Sequence, residues 1–260
     1  MHKYNGKLVE LPKKGKAMVI TDIHGNITDF KKLMNIWYDF ADKEDNHLIL
    51  TGDFIHALGL KNDQSVEILE YVKFLWETFS NIHVLLGNHE WATLSNRTLF
   101  KAGINQTFTF DELLKKNFGE NFQDKRQEYI EFFKKLPIAV RTRNKIFISH
   151  AGPPRSIESF DDIVNITDDG YNSNNSILFQ ILWNRQNDYT KEELQAFLKI
   201  VDCNMMIVGH TPVDGVKLVY KKQLIVSSSY GKGKKAYVEL DLEKNIRNSR
   251  HLMKMVKYLK

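Results

Sequence analysis

Asp22 and His24 stand two apart at the end of an apolar run, in Ile20-Thr21-Asp22-Ile23-His24-Gly25-Asn26. On a strand running out of a sheet, that spacing turns both side chains toward one face. A carboxylate oxygen and an imidazole nitrogen suit a hard-to-borderline divalent metal. Gly25 lets the chain turn sharply beside them, where a side chain would collide. Four more apolar runs end in the same way, in Thr51-Gly52-Asp53, Leu86-Gly87-Asn88-His89-Glu90, Ser149-His150-Ala151-Gly152 and Val208-Gly209-His210-Thr211-Pro212. One Asp or His beside a glycine is a polar turn. Five strand ends with this grammar converge on one crevice and describe a metal site.

The elements that must carry these residues alternate. A leading strand is expected around Leu8 and Val9, then strand 17–21, helix 28–41, strand 47–51, helix 63–79 and strand 82–86. In the first helix Phe30, Leu33, Met34, Trp37 and Phe40 recur at helical spacing, so Trp37 reads as packing. Val66, Leu69, Val72, Leu75 and Trp76 trace the stripe of the second. This alternation implies right-handed crossovers and a largely parallel arrangement. Residues 91–136 break it with helical patterns near 111–117 and 123–135, a helical insertion over one end of the sheet that Pro137 ends. Strands 138–142 and 145–149 form a hairpin through Arg143-Asn144, and 152–175 read as loop. Helix 176–183 runs into Leu182-Trp183-Asn184-Arg185. Thr190 and Glu193 read as a capping box for a helix to about Val201. Strands at 205–209, 216–220, 223–228 and 236–241 are expected to close the sheet antiparallel, and the basic tail from about 244 to be helical or disordered.

The 260 residues, 42% of them hydrophobic, suffice for one large core, and no linker or repeat divides them, so 1–260 reads as a single domain. A net charge of +5 permits a polyanionic partner. The lysines are dispersed in pairs such as Lys13-Lys14, Lys115-Lys116 and Lys221-Lys222, which reads as solvated surface and does not indicate nucleic acid. The single cysteine, Cys203, excludes an internal disulfide framework and fits a reducing interior. No apolar stretch approaches a membrane span and Met1-His2-Lys3-Tyr4 opens no signal sequence, so a soluble, cytoplasmic protein is expected.

Taken together, Asp22-x-His24-Gly25, Gly52-Asp53, Gly87-Asn88-His89-Glu90, His150-Ala151-Gly152 and Gly209-His210-Thr211-Pro212 resemble, in content and order, the motifs of the calcineurin-like metallophosphoesterases. The branch most similar holds serine/threonine protein phosphatases and symmetrical dinucleoside-tetraphosphatases. The resemblance implies an α/β fold, a four-layer α/β/β/α sandwich of two mixed sheets flanked by helices. It also implies two divalent cations. Asp22, His24 and Asp53 would hold one, and Asp53 would bridge to a second on Asn88, His150 and His210. Manganese is what the resemblance favours; mixed His, Asp and Asn ligation also accepts iron, zinc, cobalt or nickel. Two such cations about 3.5–4 Å apart clamp a phosphoryl group and activate a bridging water, whose hydroxide attacks phosphorus in line. His89, next to a ligand without being one, would be the general acid. Glu90 would be a supporting or capping residue.

The chain also departs from that pattern. The protein phosphatases of the family carry Asp-Arg-Gly three residues after the Gly-Asp aspartate; here His56 and Ala57 take those places, and Leu86 stands where an arginine precedes Gly87. His56 is left to orient His89 or to meet substrate. An imidazole stabilises an imidazolium less well than a carboxylate does, which suits a leaving group needing less protonation. Arg185 resembles an arginine that bacterial-type members place on substrate phosphate. Tyr230 and Lys232 fall on the loop that covers the cleft in relatives, and Arg97 and Arg155 are further phosphate candidates. The expected function is a bimetallic phosphoester hydrolase acting on a phosphorylated substrate, first of all phosphoserine or phosphothreonine in proteins. The alternatives are a nucleotide or dinucleoside-polyphosphate hydrolase, a phosphodiesterase, and, last, a metal-binding scaffold with vestigial turnover.

Overall fold

Short apolar strands separated by amphipathic helices sort themselves here into two sheets. A computed structural model describes residues 4–41, 45–57, 62–101, 104–229 and 231–260. In chain order they form β1 (Leu8–Leu11), β2 (Lys16–Ile20), α1 (Ile27–Ala41), β3 (His47–Leu50), α2 (Ser65–Thr78), β4 (Ile82–Val84), α3 (Asn88–Leu94), β5 (Phe100–Lys101), β6 (Ile104–Asn105), α4 (Gln106–Phe118) and α5 (Phe122–Lys135). There follow β7 (Ala139–Thr142), β8 (Ile146–Ser149), α6 (Asp161–Val164), α7 (Ser176–Trp183), α8 (Lys191–Ile200), β9 (Met205–Val208), β10 (Val216–Val219), β11 (Gln223–Val226), β12 (Ala236–Asp241), α9 (Ser249–Met253) and β13 (Val256–Tyr258).

One sheet has the order β13-β12-β2-β3-β4 and the other β1-β7-β8-β9-β11-β10. In the first, β2, β3 and β4 are parallel, with α1 and α2 in the crossovers, as the alternation predicts. In the second, β8, β9 and β11 are parallel, while β7–β8 and β10–β11 are antiparallel. The strand period of two then builds the layers. Ala17, Val19 and Ile49 of the first sheet cluster with Val140, Ile148 and Ile207 of the second, filling the space between them. Met18, Ile20, Leu48 and Leu50 point the other way, into a cluster with Phe30, Leu33 and Leu69 of α1 and α2. Phe147 of β8 meets Phe197 of α8 at 5.0 Å. The result is helix, sheet, sheet, helix. No helix among the described residues is long and apolar enough to cross a membrane.

Three expectations change. The last strands do not close one sheet antiparallel: β9 and β11 run parallel, and β12 crosses to pair with β2, Val238 beside Val19 and Leu240 beside Ala17. That crossing buries Val238 and Leu240 between the sheets. The tail is neither a plain helix nor disordered. It forms α9 and then β13, antiparallel to β12, and buries Leu252. Within 152–175 a helical turn, α6, forms where the Asp162 carboxylate accepts the N–H groups of Glu158 and Ser159 at 2.7 and 3.0 Å.

The 91–136 segment holds α4, α5 and the two-stranded β5–β6 pair, and is anchored to the layer beneath it. Tyr129 donates to Glu70 at 2.6 Å, Lys125 pairs with Glu70 at 2.9 Å and Lys73 with Glu128 at 3.0 Å, joining α5 to α2.

Candidate metal centre

The residues just beyond β2, β3, β4, β8 and β9 meet at one end of the two sheets. Asp22, His24, Asp53, Asn88, His89, Arg185 and His210 border a cleft of about 560 Å³. His150 is buried behind them. Their backbone is unusual. His24 (φ 48°), Asp53 (φ 58°), His56 (φ 65°) and His210 (φ 61°) all lie in the left-handed region, at a cost on the order of 1–3 kcal/mol for each non-glycine residue. The surroundings hold them there. His24 N–H donates to the Asp53 carbonyl at 2.9 Å. The Glu90 carboxylate accepts the N–H groups of Asp53 and Phe54, both at 2.8 Å, and so supports that loop. Asp22 accepts His210 N–H at 2.9 Å. This approach requires glycine at 209, where a Cβ would stand 2.1 Å from Asp22 Oδ2.

Hydrogen bonds to carbonyls fix two of the imidazoles. His150 Nδ1–H donates to Thr51 at 2.9 Å and His24 Nδ1–H to Ile55 at 3.2 Å. In the neutral ring each bond leaves Nε2 as a lone pair, and these nitrogens lie 3.5 Å and 3.6 Å from Asp53 Oδ2. Lone pairs set against a carboxylate repel unless a cation lies between them. Asn88 Oδ1 is 2.9 Å from both His150 Nε2 and His210 Nδ1, which are 3.2 Å from each other. Atoms bound about 2.0–2.2 Å from one ion are spaced roughly like this. Two groups, His24–Asp53–His89 and Asp53–His150–His210, each keep their ligand atoms within 4.8 Å and share Asp53. Among the described residues the two groups share Asp53 and can each take a divalent cation; with the His89 ring protonated, the first keeps His24 and Asp53. Asp22 stands outside both groups, at the cleft wall, with carboxylate lone pairs to spare. Burial pushes its carboxyl up to about 6, raises that of Glu90 and lowers the His150 imidazole. Buried carboxylates that resist ionising are what a cation relieves.

His89 Nε2 is 3.9 Å from Asp53 Oδ2, and its Nδ1 is 2.7 Å from His56 Nδ1. One proton must lie between those two nitrogens. Burial lowers His56 to about 3, so its ring is neutral. His56 Nε2 is buried without a hydrogen-bond partner among the described residues. An acid at His89 is a protonated ring, in which His89 Nδ1–H donates to the neutral His56 Nδ1 and the second proton sits on Nε2, near Asp53.

Arg185 borders the cleft, its Nε 3.4 Å from His210 Nε2, and Lys232 borders it too. Tyr230 lies outside the described residues. Arg97 stacks over Trp91 and Phe179, 5.8 and 5.5 Å from their ring centres, and Arg155 is exposed; neither borders the cleft. Several further residues there were given no role in the sequence analysis. Trp183 lies edge-on to His210 at 5.9 Å. Asp29 accepts hydrogen bonds from Asn26 and Ser229, both at 2.7 Å, pinning two stretches of the rim together. Leu99, Phe100 and Gln106 come from the insertion. For these the only trace is a pair of large apolar residues between helical patterns.

Residues 15–214 match the family model of the calcineurin-like phosphoesterases, and the chain belongs to that family. A probable serine/threonine-protein phosphatase of Encephalitozoon cuniculi is 24% identical over 179 residues, covering 68% of this chain and 35% of its own length. A serine/threonine-protein phosphatase of Caenorhabditis elegans is 21% identical over 226 residues, covering 81% and 46%. The chain thus spans about a third to a half of the length of these curated relatives. Among solved structures, a Saccharomyces cerevisiae protein serine/threonine phosphatase with similarity to human phosphatase PP5 superposes with a TM-score of 0.69 at 18% identity, over 90% of this chain and 76% of that one. A cold-active protein-tyrosine phosphatase of a Shewanella species gives 0.63 at 17%, over 100% and 85%. At such identities the likeness is one of fold, and it is the two-sheet sandwich described above.

Proposed function

We propose that the chain is a metal-dependent phosphomonoesterase that acts on a phosphoprotein, with Asp53 shared between two cations and His89 as the general acid. The observation that carries this reading is the pair of imidazole lone pairs facing the Asp53 carboxylate at 3.5 and 3.6 Å. Asp22, His24 and Asp53 would hold one cation, and Asp53, Asn88, His150 and His210 the other, with manganese the first candidate. Bound there, they would supply Lewis acidity for an attacking water and for the phosphoryl oxygens.

The protein's own residues do the rest. Glu90 holds the Asp53–Ile55 amides, so the shared carboxylate is fixed before substrate arrives. His89 Nε2, next to Asp53, protonates the leaving oxygen of a phosphoryl group seated there. Arg185 and Lys232 bring positive charge to its remaining oxygens. His56 keeps the His89 ring in place but, as an imidazole, stabilises its charged form less than a carboxylate would, favouring leaving groups that depart with little help. The names of the curated relatives support a phosphoprotein substrate. The missing Asp-Arg at His56 and Ala57 favours a second reading, a nucleotide or dinucleoside-polyphosphate hydrolase. Both sheets and the insertion border one cleft, which supports a single domain, and the lone cysteine supports a cytoplasmic setting.

Hydrolysis of p-nitrophenyl phosphate and its bis-ester with manganese tests the proposal. Wild type is expected to cleave the monoester, Asp53→Ala to be inactive, and His89→Ala to lose about a hundredfold in kcat. Turnover mainly of the diester would move the reading to a phosphodiesterase, and an unchanged His89→Ala would remove His89 from its role.

A further inference from the structure

One stretch of the cleft wall comes from the insertion rather than from strand ends. Phe100 is 70% exposed, a large apolar side chain left in water at the mouth of a cleft whose Asp53 and Asn88 are buried. Leu99 lies next to it and is held in place. Gln106 N–H donates to the Leu99 carbonyl at 2.8 Å, and Leu99 N–H to the Thr107 hydroxyl at 3.2 Å. Gln106 opens α4, is 4% exposed and borders the cleft, and its side-chain amide makes no hydrogen bond to the described residues. Four residues on, Phe110 packs edge-on against His56 at 5.6 Å. Residues four apart share a helix face. The face of α4 that buttresses the His56–His89 pair is therefore the one that offers Gln106 to the cleft.

We propose that Leu99, Phe100 and Gln106 form a leaving-group subsite for an aryl ring carried directly on the phosphate oxygen, so that the substrate is a phosphotyrosine side chain. This rests on the phosphatase reading and deepens it. Phosphoserine sets one methylene between backbone and phosphate, and its backbone would have to descend to the buried floor. Phosphotyrosine sets a ring there, which spans floor to rim and buries its faces on Leu99 and Phe100, with the Gln106 amide as the polar contact. In the reaction, the water oxygen forms the new bond to phosphorus and the bond from phosphorus to the tyrosine oxygen breaks. The His89 proton ends on that oxygen, and a proton from the water restores His89. The products are tyrosine and inorganic phosphate.

Benzylphosphonate and propylphosphonate have no ester to break, so their binding reads the wall apart from the chemistry. Calorimetry on manganese-loaded protein is expected to give benzylphosphonate a Kd about tenfold lower, with Phe100→Ala bringing the two within about twofold. A phosphotyrosine peptide is expected to exceed a phosphoserine peptide of the same sequence in kcat/KM, the Phe100→Ala loss appearing in KM. Equal Kd values, or no change in Phe100→Ala, would overturn the subsite and leave the phosphatase reading standing. A Phe100→Ala loss confined to adenosine 5′-monophosphate would overturn it in favour of a stacked base. If neither phosphonate binds and no ester is hydrolysed, the phosphatase reading falls and takes the subsite with it.

Discussion

His56 is the residue at which this chain departs furthest from the motifs it otherwise resembles, and the structure gives the departure a geometry. Its ring lies 2.7 Å from His89, behind the face that meets the cleft, with Phe110 closing the other side. It does not border the cleft, against the expectation that it meets substrate, and its proposed part is to position His89. His56→Ala is expected to lower kcat for p-nitrophenyl phosphate about tenfold or more while KM holds, and His56→Asn, which keeps a hydrogen-bonding group there, to lose less. Steady-state kinetics would show it. Equal losses in both variants would mean that bulk, and not the hydrogen bond, is what matters at 56. The residues that gather at the cleft were legible in the sequence, because Asp, Asn and His at the ends of apolar runs are local signals. The left-handed backbone of His24, Asp53, His56 and His210 was not. It is imposed by partners remote in sequence, such as Glu90 on Asp53 and Asp22 on His210.

At the scale of elements, the first five strands and helices of the β-α-β alternation could be read directly, since the crossovers α1 and α2 carry clear apolar stripes. The partner of β12 could not. Short apolar runs fit either sheet, and only the packing between the sheets selects β2 over β11. The tail shows the same limit: read as helical or disordered, it forms α9 and β13, which cover the edge of β12, with Leu252 fully buried. Leu252→Ala is expected to cost about 2–4 kcal/mol in urea unfolding, as a large-to-small change in a packed site does. KM is expected to stay unchanged. A cost below about 0.5 kcal/mol, the range of surface substitutions, would mean the tail is not docked in solution.

Across the whole molecule, the candidate centre belongs to neither sheet alone. Asp22, Asp53 and Asn88 follow strands of one, and His150 and His210 strands of the other. The order of the motifs made this convergence legible; the cleft wall from the insertion, where the substrate argument rests, carried no pattern to read. The central claim is that Asp53 stands between two cations. Electron paramagnetic resonance of the protein reconstituted with manganese tests it most directly, alongside the metal content per chain. Two manganese ions per chain with an exchange-coupled spectrum, replaced in Asp53→Asn by an uncoupled one, is the result the account predicts. One ion per chain, or two that show no coupling in the wild type, would contradict it.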